Sequence, residues 1–94
     1  MRIRWLRAAL ANLDAEAEYI ARDSPPAAAR VVTAIVSAVK RLRQYPALGR
    51  PGRVTGTREL IVPGTPYIVP YRVRGDAVEV LRVFHAARRW PKHL

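Results

Sequence analysis

The stretch RELIVPGTPYIVPYRVRGDAVEVLRVF, residues 58–84, decides the fold because it alternates short apolar runs with turn signals. Residues 58–62 are predicted to form one strand, residues 67–73 a second and residues 77–84 a third. A Pro-Gly and a Gly-Asp dipeptide mark the two turns, and the glycine of the second turn is suited to a positive φ. Three consecutive strands joined by short turns predict antiparallel pairing.

The middle strand of this stretch has two different faces, because alternate side chains project to opposite sides of a sheet. One face is predicted to carry Tyr67, Val69, Tyr71 and Val73, and the other Ile68, Pro70 and Arg72. Pro70 has no amide N–H to donate to a neighbouring strand, so it predicts a sheet edge or a bulge at its position.

The residues before this stretch predict one further strand and two helices. Residues 2–5 alternate basic and apolar side chains, as a short strand does. A helix is predicted over residues 6–22, with an apolar face formed by Leu6, Leu10, Leu13, Ala17 and Ile20. Ser24 is the predicted N-cap of a second helix that starts at Pro25 and ends near Arg43. Its predicted apolar face consists of Ala28, Val32, Ile35, Val39 and Leu42.

These elements define an α+β fold in the order β-α-α-β-β-β within a single domain of 94 residues. An antiparallel sheet is expected to carry the helical hairpin on one face and to leave the other face to a partner. Residues 46–57, with three Gly and two Pro, are predicted to be a loop. This loop lacks the Lys-Ser/Thr of a phosphate-binding P-loop and opens no helix, so a surface connection is the favoured interpretation.

The charge of the chain predicts an anionic partner. The net charge is +10, with residues 1–40 contributing +2 and residues 41–94 contributing +8. An excess of this size is typical of proteins that bind nucleic acid, an acidic protein or a membrane surface. The anion-facing surface is therefore expected in the C-terminal half.

Several classes of protein are excluded by composition. The chain has no Cys and only two His, which excludes a disulfide framework, thiol catalysis and a zinc ribbon, and no metal or cofactor is expected. No apolar run approaches the roughly 20 residues that span a bilayer. The N-terminus lacks the features of a secretory signal, so a cytoplasmic protein is expected.

The end of the last predicted strand carries the residues best suited to chemistry. His85 can act as an acid or base near neutral pH, and Arg88 can hold a phosphate. The alternative is a strand-end histidine with local hydrogen bonds beside solvated arginines. Trp90 can stack on a nucleic-acid base or pin the C-terminal tail to the body, and the second role is favoured. Arg58 is either a structural partner or part of the anion-binding surface.

Three sequence segments within the order β-α-α-β-β-β carry a resemblance to a known family. These are residues 49–60 (GRPGRVTGTREL), residues 67–73 (YIVPYRV) and residues 80–91 (VLRVFHAARRWP). In these segments the chain resembles the RelE/ParE superfamily of toxins from type II toxin–antitoxin, or plasmid stabilisation, systems. The resemblance also includes residues 19–21 and 46–49, so it extends over nearly the whole chain.

The resemblance implies one of two activities. RelE-type members cleave mRNA on the ribosome, and ParE-type members block DNA gyrase without nuclease activity; both are neutralised by an antitoxin. Where RelE-type members carry basic residues on their strands, this chain has Glu59, Ile61 and Ile68, and no Tyr follows Arg88. Since RNA cleavage needs a base, an acid and a cation, a gyrase-binding toxin is the preferred prediction and a ribosome-dependent endoribonuclease the alternative.

The resemblance and the charge together predict the site and the partners. Under the nuclease alternative the catalytic residues are His85 and Arg88. The residues predicted to bind the target or nucleic acid are Arg58, Arg72, Arg82, Arg89 and Trp90. The expected partners are an acidic cognate antitoxin, and DNA gyrase or alternatively the ribosome and mRNA; no membrane is expected.

Overall fold

The computed structural model describes residues 1–88, 90–91 and 93–94. Their order of elements is the predicted one, with two short strands added. The helices are α1, Arg7–Ala21, and α2, Pro25–Lys40, with a 3-10 turn at Arg41–Arg43. The strands are β1, Arg2–Trp5; β2, Arg50–Pro51; β3, Arg58–Ile61; β4, Tyr67–Arg74; β5, Ala77–Val80; and β6, Phe84–His85.

The strands form one mixed sheet in the order β1-β5-β4-β3-β2, with β6 paired to β4. The antiparallel pairing of β3, β4 and β5 confirms the prediction, and Gly75 has the expected positive φ of 59° in the last hairpin. The prediction of a wholly antiparallel sheet was wrong, because β1 pairs with β5 in parallel. Parallel neighbours need a long connection between them, and the helices and central strands that separate β1 from β5 provide it.

The helical hairpin covers one face of the sheet and encloses the core. The predicted apolar face of the second helix is confirmed, with Ile35 and Val39 of α2 and Leu42 of the 3-10 turn fully buried. The predicted apolar face of α1 is partly wrong. Its buried residues are Ala9, Leu13 and Glu16, whereas Leu10 is 46% exposed. The helix therefore packs about one residue away from the stripe that hydrophobicity alone predicts.

The ends of α2 follow local sequence signals. Ser24 caps the helix as predicted, because its Oγ accepts a hydrogen bond from the amide of Ala27 at 3.2 Å. The regular helix ends at Lys40, slightly before the predicted end, and continues as the 3-10 turn that buries Leu42. Helix ends commonly tighten in this way.

Pro70 lies at an interruption of the sheet, which confirms the predicted bulge. β5 ends opposite Tyr71 and β6 begins opposite Ile68, so the third predicted strand is split in two. Leu81 donates its amide to the carbonyl of Pro70 at 2.9 Å, but proline cannot return the bond. The guanidinium of Arg82 donates to the Leu81 carbonyl instead, at 3.0 Å. Arg82 therefore satisfies a backbone acceptor that the proline leaves without its strand partner.

Neither helix in the described part of the chain is long and apolar enough to cross a membrane.

Candidate functional site

The sheet face opposite the helices carries a buried carboxylate surrounded by arginines. Glu79 of β5 is 4% exposed and accepts a hydrogen bond from the Nε of Arg72 at 2.7 Å. Arg4 of β1 approaches the same carboxylate at 3.3 Å and Arg74 at 3.8 Å. The hydrogen bond from Arg72, together with the positive charges of the three arginines, lowers the pKa of Glu79. Arg72 thus lies on the predicted face, but its charge is engaged within the chain.

We expect Glu79→Gln to lower the urea midpoint of unfolding at neutral pH. The pKa of Glu79 is lower in the folded chain than the ordinary glutamate value of about 4.3, so the stabilisation is present above that value. It is lost as the pH falls through the folded-state pKa, where the parent and the variant should converge. Urea unfolding at a series of pH values measures this. Asp76→Asn is the control, because the Asp76–Arg2 pair is largely exposed. A deficit that is unchanged in acid would contradict the prediction.

A second buried carboxylate lies on the same face. Glu59 of β3 is 3% exposed and accepts hydrogen bonds from the Nη2 of Arg50 at 3.1 Å and from the backbone amide of Arg53 at 2.8 Å. The Nε of Arg53 is 3.8 Å away. Glu59 therefore pairs with two arginines, one from β2 and one from the loop that follows it.

The C-terminal tail covers part of this face. Phe84 pairs with Ile68, and the Trp90 ring packs on Phe84 with 4.7 Å between ring centroids. The Arg53 guanidinium lies 3.8 Å from the Trp90 ring centroid, within cation–π range. Ile68 is consequently only 6% exposed. The prediction that this whole face is left to a partner was wrong, and Trp90 pins the tail to the body.

Arg58 lies on the helix side of the sheet rather than on the opposite face. It pairs in register with Tyr71 and donates hydrogen bonds to the carbonyls of Gly49 at 2.7 Å and Ala47 at 3.3 Å. The buried hydroxyl of Tyr71 accepts from the Gly49 amide and donates to the Pro46 carbonyl. A Cβ at Gly49 would lie 2.6 Å from the Tyr71 ring, so this close approach requires glycine. Arg58 and Tyr71 together hold the loop of residues 46–49.

His85 and Arg88 meet at the edge of the helix side. The His85 ring packs edge-on against the Tyr67 ring, with 5.5 Å between the ring centroids. Its Nδ1 accepts a hydrogen bond from the Ala87 amide at 3.2 Å. Tyr67 donates its hydroxyl to Glu16 of α1 at 2.8 Å, and Arg88 binds the other oxygen of that carboxylate. These residues form a cluster between α1, β4 and the tail.

Two groups of the cluster have shifted pKa values. Burial, and then the hydrogen bond to Glu16, raise the pKa of Tyr67 to about 12. The hydrogen bond to Glu16 also raises the pKa of Arg88. At neutral pH the cluster therefore holds a protonated tyrosine, which donates, and a charged arginine bound to a carboxylate.

The structure brings some of the predicted site residues together and separates others. His85 and Arg88 share one cluster, whereas Trp90 and Arg72 lie toward the opposite face. Arg58 lies apart from both, where it holds the loop of residues 46–49. Arg89 lies outside the described residues. Sequence reasoning missed Glu16 and Tyr67, although one signal was present: the spacing of Ala9, Leu13 and Glu16 places the glutamate on a helical stripe.

The geometry defines the class of protein as a small basic α+β domain, with a helical hairpin on one sheet face and arginine-ringed carboxylates on the other. Comparison of the sequence with known proteins gives the family to which this class belongs. Residues 3–90 match the family described as the ParE toxin of type II toxin–antitoxin system, parDE. The protein Y4kP of Sinorhizobium fredii is 54% identical over 99% of this chain and 96% of its own. Toxin RelE2 of Caulobacter vibrioides is 38% identical over 89% of this chain and 93% of its own.

Solved structures give the same result. A chain of the chromosomal ParDE toxin–antitoxin system from P. aeruginosa superposes with a TM-score of 0.82 at 36% identity, covering 90% of this chain and 95% of that one. A chain of the RelBE2 toxin–antitoxin complex from Mycobacterium tuberculosis gives 0.64 at 28% identity, covering 89% and 95%. The chain belongs to the ParE toxin family of the RelE/ParE superfamily, and it is a type II toxin.

Proposed function

We propose that this toxin inhibits growth by binding DNA gyrase, as the resemblance to ParE-type toxins implies. The observation that carries the proposal is the pairing of the sheet-face arginines with buried carboxylates. Glu59 and Glu79 engage five arginines on the face where a ribonuclease of this superfamily would present cations to the scissile phosphate. A surface of this kind is suited to recognising a protein rather than to stabilising a phosphorane.

The His85 cluster also favours binding over cleavage. Cleavage of RNA needs a base for the 2′-hydroxyl, an acid for the leaving oxygen and a cation for the developing charge. Tyr67 already donates its proton to Glu16, and Arg88 is bound to the same carboxylate. Two of the three chemical roles would therefore have to be taken by groups that are engaged elsewhere.

Ribosome-dependent mRNA cleavage is the second candidate function. The proximity of His85 and Arg88 around Tyr67 favours it, because a histidine beside an arginine can move a proton near a bound phosphate. The relative named RelE2 adds weight to this alternative. The higher TM-score and identity to the ParDE chain support the gyrase proposal.

An acidic antitoxin is the proposed partner. Exposed apolar side chains line a groove between the loop at residues 45–48 and the edge of β3, and they include Tyr45, Leu48 and Ile61. β2 pairs only with Arg58 and Glu59, so within the described residues no strand lies outside Ile61. An extended segment of the antitoxin can add to this edge, with its acidic side chains facing Arg41 and Arg50, which also line the groove.

Supercoiling by purified gyrase tests the proposal directly. The purified toxin should block supercoiling of relaxed plasmid, and addition of the antitoxin should restore it. In parallel, transcript ends are mapped in cells that express the toxin. Unimpaired supercoiling together with new transcript ends would replace the proposal by the ribonuclease alternative.

We expect His85→Gln to remain toxic and to block supercoiling, because the glutamine oxygen can still accept the hydrogen bond from the Ala87 amide that His85 Nδ1 accepts. Glutamine keeps a comparable size and a hydrogen bond but cannot transfer a proton, so a nuclease that used His85 would lose roughly 10²–10⁴-fold in cleavage rate. Growth of cells that express the variant measures the outcome. His93→Gln, near the chain end, is the matched control. Restored growth with His85→Gln alone would argue for the nuclease.

A further inference from the structure

Glu16 breaks the pattern of the helix that contains it. It lies on the buried stripe of α1 with Ala9 and Leu13, and it is only 8% exposed. A buried carboxylate is costly unless it is paired and hydrogen-bonded, so an apolar residue is expected at this position. Departures from a local rule tend to occur at functional sites.

Both oxygens of Glu16 are used by residues far away in the sequence. Tyr67 of β4 donates to Oε1 at 2.8 Å, and Arg88 of the tail binds Oε2. The Glu16 side chain is 10% exposed and that of Arg88 is 51% exposed, so the pair connects the interior to the surface. Hydrogen bonds to charged groups in such settings are stronger than neutral ones.

The tail is ordered around this pair by hydrogen bonds from three backbone amides. The amide of Ala86 donates to the Pro66 carbonyl at 2.7 Å, and the amide of Arg88 donates to the His85 carbonyl at 3.0 Å. The amide of Ala87 donates to His85 Nδ1, and the His85 ring rests on Tyr67. Tyr67 therefore contacts both Glu16 and His85, which precedes the tail, and Arg88 within the tail binds Glu16.

We propose that Glu16 is a positioning residue for toxicity: through Tyr67 and Arg88 it holds the tail in the conformation that the target recognises. The proposal rests on the proposed function, and on the prediction from sequence that the target-binding residues include Trp90 of the tail. It assigns a role to a helix residue that lies outside the predicted target-binding set. Tyr67 belongs to the apolar core cluster, whereas Glu16 and Arg88 do not.

Glu16→Leu separates positioning from a purely structural role. Because removing one partner of a buried pair is destabilising and would leave the Tyr67 hydroxyl without its acceptor, Glu16→Leu is made in the Tyr67→Phe background, where the half-exposed Arg88 can return to water. This variant should unfold at about the same urea concentration as Tyr67→Phe alone. Its growth inhibition should nevertheless be lost. Glu16→Gln is the second variant, since glutamine keeps the shape and can still accept from Tyr67. Glu18→Gln, exposed on the same helix, is the matched control and should behave as the parent.

Amide hydrogen exchange of the full-length toxin measures the tail itself. In both Glu16 variants the amides of Ala86, Ala87 and Arg88 should exchange about 10- to 100-fold faster, as expected when a hydrogen bond to a charged group is lost. The amides of β4 should keep the parent rates. Arg88→Gln should accelerate the same three amides, because it removes the other half of the pair at a half-exposed position.

Two results would overturn the proposal. One is tail exchange that does not change in any of the three variants. The other is accelerated exchange with growth inhibition intact in Glu16→Leu, since a released tail would then be irrelevant to toxicity. A uniform acceleration that includes β4 in Glu16→Gln would show a loss of global stability, and Glu16→Leu in the Tyr67→Phe background then decides. Failure of the parent toxin to block gyrase would reject the proposed target without affecting these readouts.

Discussion

Replacing Ile35 with alanine is expected to lower the free energy of unfolding by about 2–5 kcal/mol. Ile35 of α2 is completely buried in the cluster that joins the helices to the sheet. The truncation removes apolar contacts and leaves a cavity that the close-packed surroundings fill only in part. Small domains have about 5–15 kcal/mol of stability in total, so the loss should be visible as a large shift of the urea midpoint.

Leu10→Ala is the matched control for this truncation. Leu10 belongs to the apolar stripe that the sequence predicts for α1, but it is 46% exposed in the structure. A helix-surface leucine that is half in water should cost clearly less than the buried isoleucine. Equal losses for the two variants would mean that α1 packs on the predicted stripe, and the observed packing of Ala9 and Glu16 would be wrong.

Association with the antitoxin is expected to be about 10- to 10³-fold faster at low salt than at high salt. The toxin carries a net charge of +10, and residues 41–94 account for +8 of it. Long-range attraction between this half and an acidic partner steers the encounter, whereas short-range contacts govern dissociation. Stopped-flow mixing at about 0.01 M and about 1 M ionic strength measures the effect, because the Debye length falls from about 30 Å to about 3 Å.

Two arginine variants locate the origin of this steering. Arg41, beside the apolar groove, and Arg30, on α2 in the weakly charged half, are both exposed and differ in their surroundings. Arg41→Gln should slow association at low salt more than Arg30→Gln does. An association rate that is the same at both ionic strengths would exclude electrostatic steering, and with it an acidic antitoxin as the partner.

Much of the fold could be predicted because the signals that specify it are local. Ser24 caps its helix through a hydrogen bond to an amide three residues away, and Gly75 supplies the positive φ of the last hairpin. Pro70 predicts an interruption of strand pairing because it lacks a backbone N–H. Each of these effects acts over a few residues of chain, so neighbours in the sequence are sufficient to reveal it.

The site could be predicted only in part. His85, Arg88 and Trp90 were recognised as candidates from residue type and position, but their surroundings could not be. The structure places Arg88 against Glu16, 72 residues away. It also places Arg58 on the helix side of the sheet, where Arg58 binds the loop of residues 46–49. A charged side chain reveals its chemistry in the sequence, but its partner depends on how distant segments meet.

The sequence alone thus determined the order of the elements, the turns, the strong positive charge and the resemblance to the superfamily, all of which depend on composition and short-range pattern. Only the tertiary structure decided that β1 lies parallel to β5, that Glu59 and Glu79 pair with arginines of the sheet face, and that Glu16 binds Arg88. These features follow from contacts between residues far apart in the chain. Such contacts become favourable only when the whole core packs, because packing removes the charges from water and makes each of them require a partner.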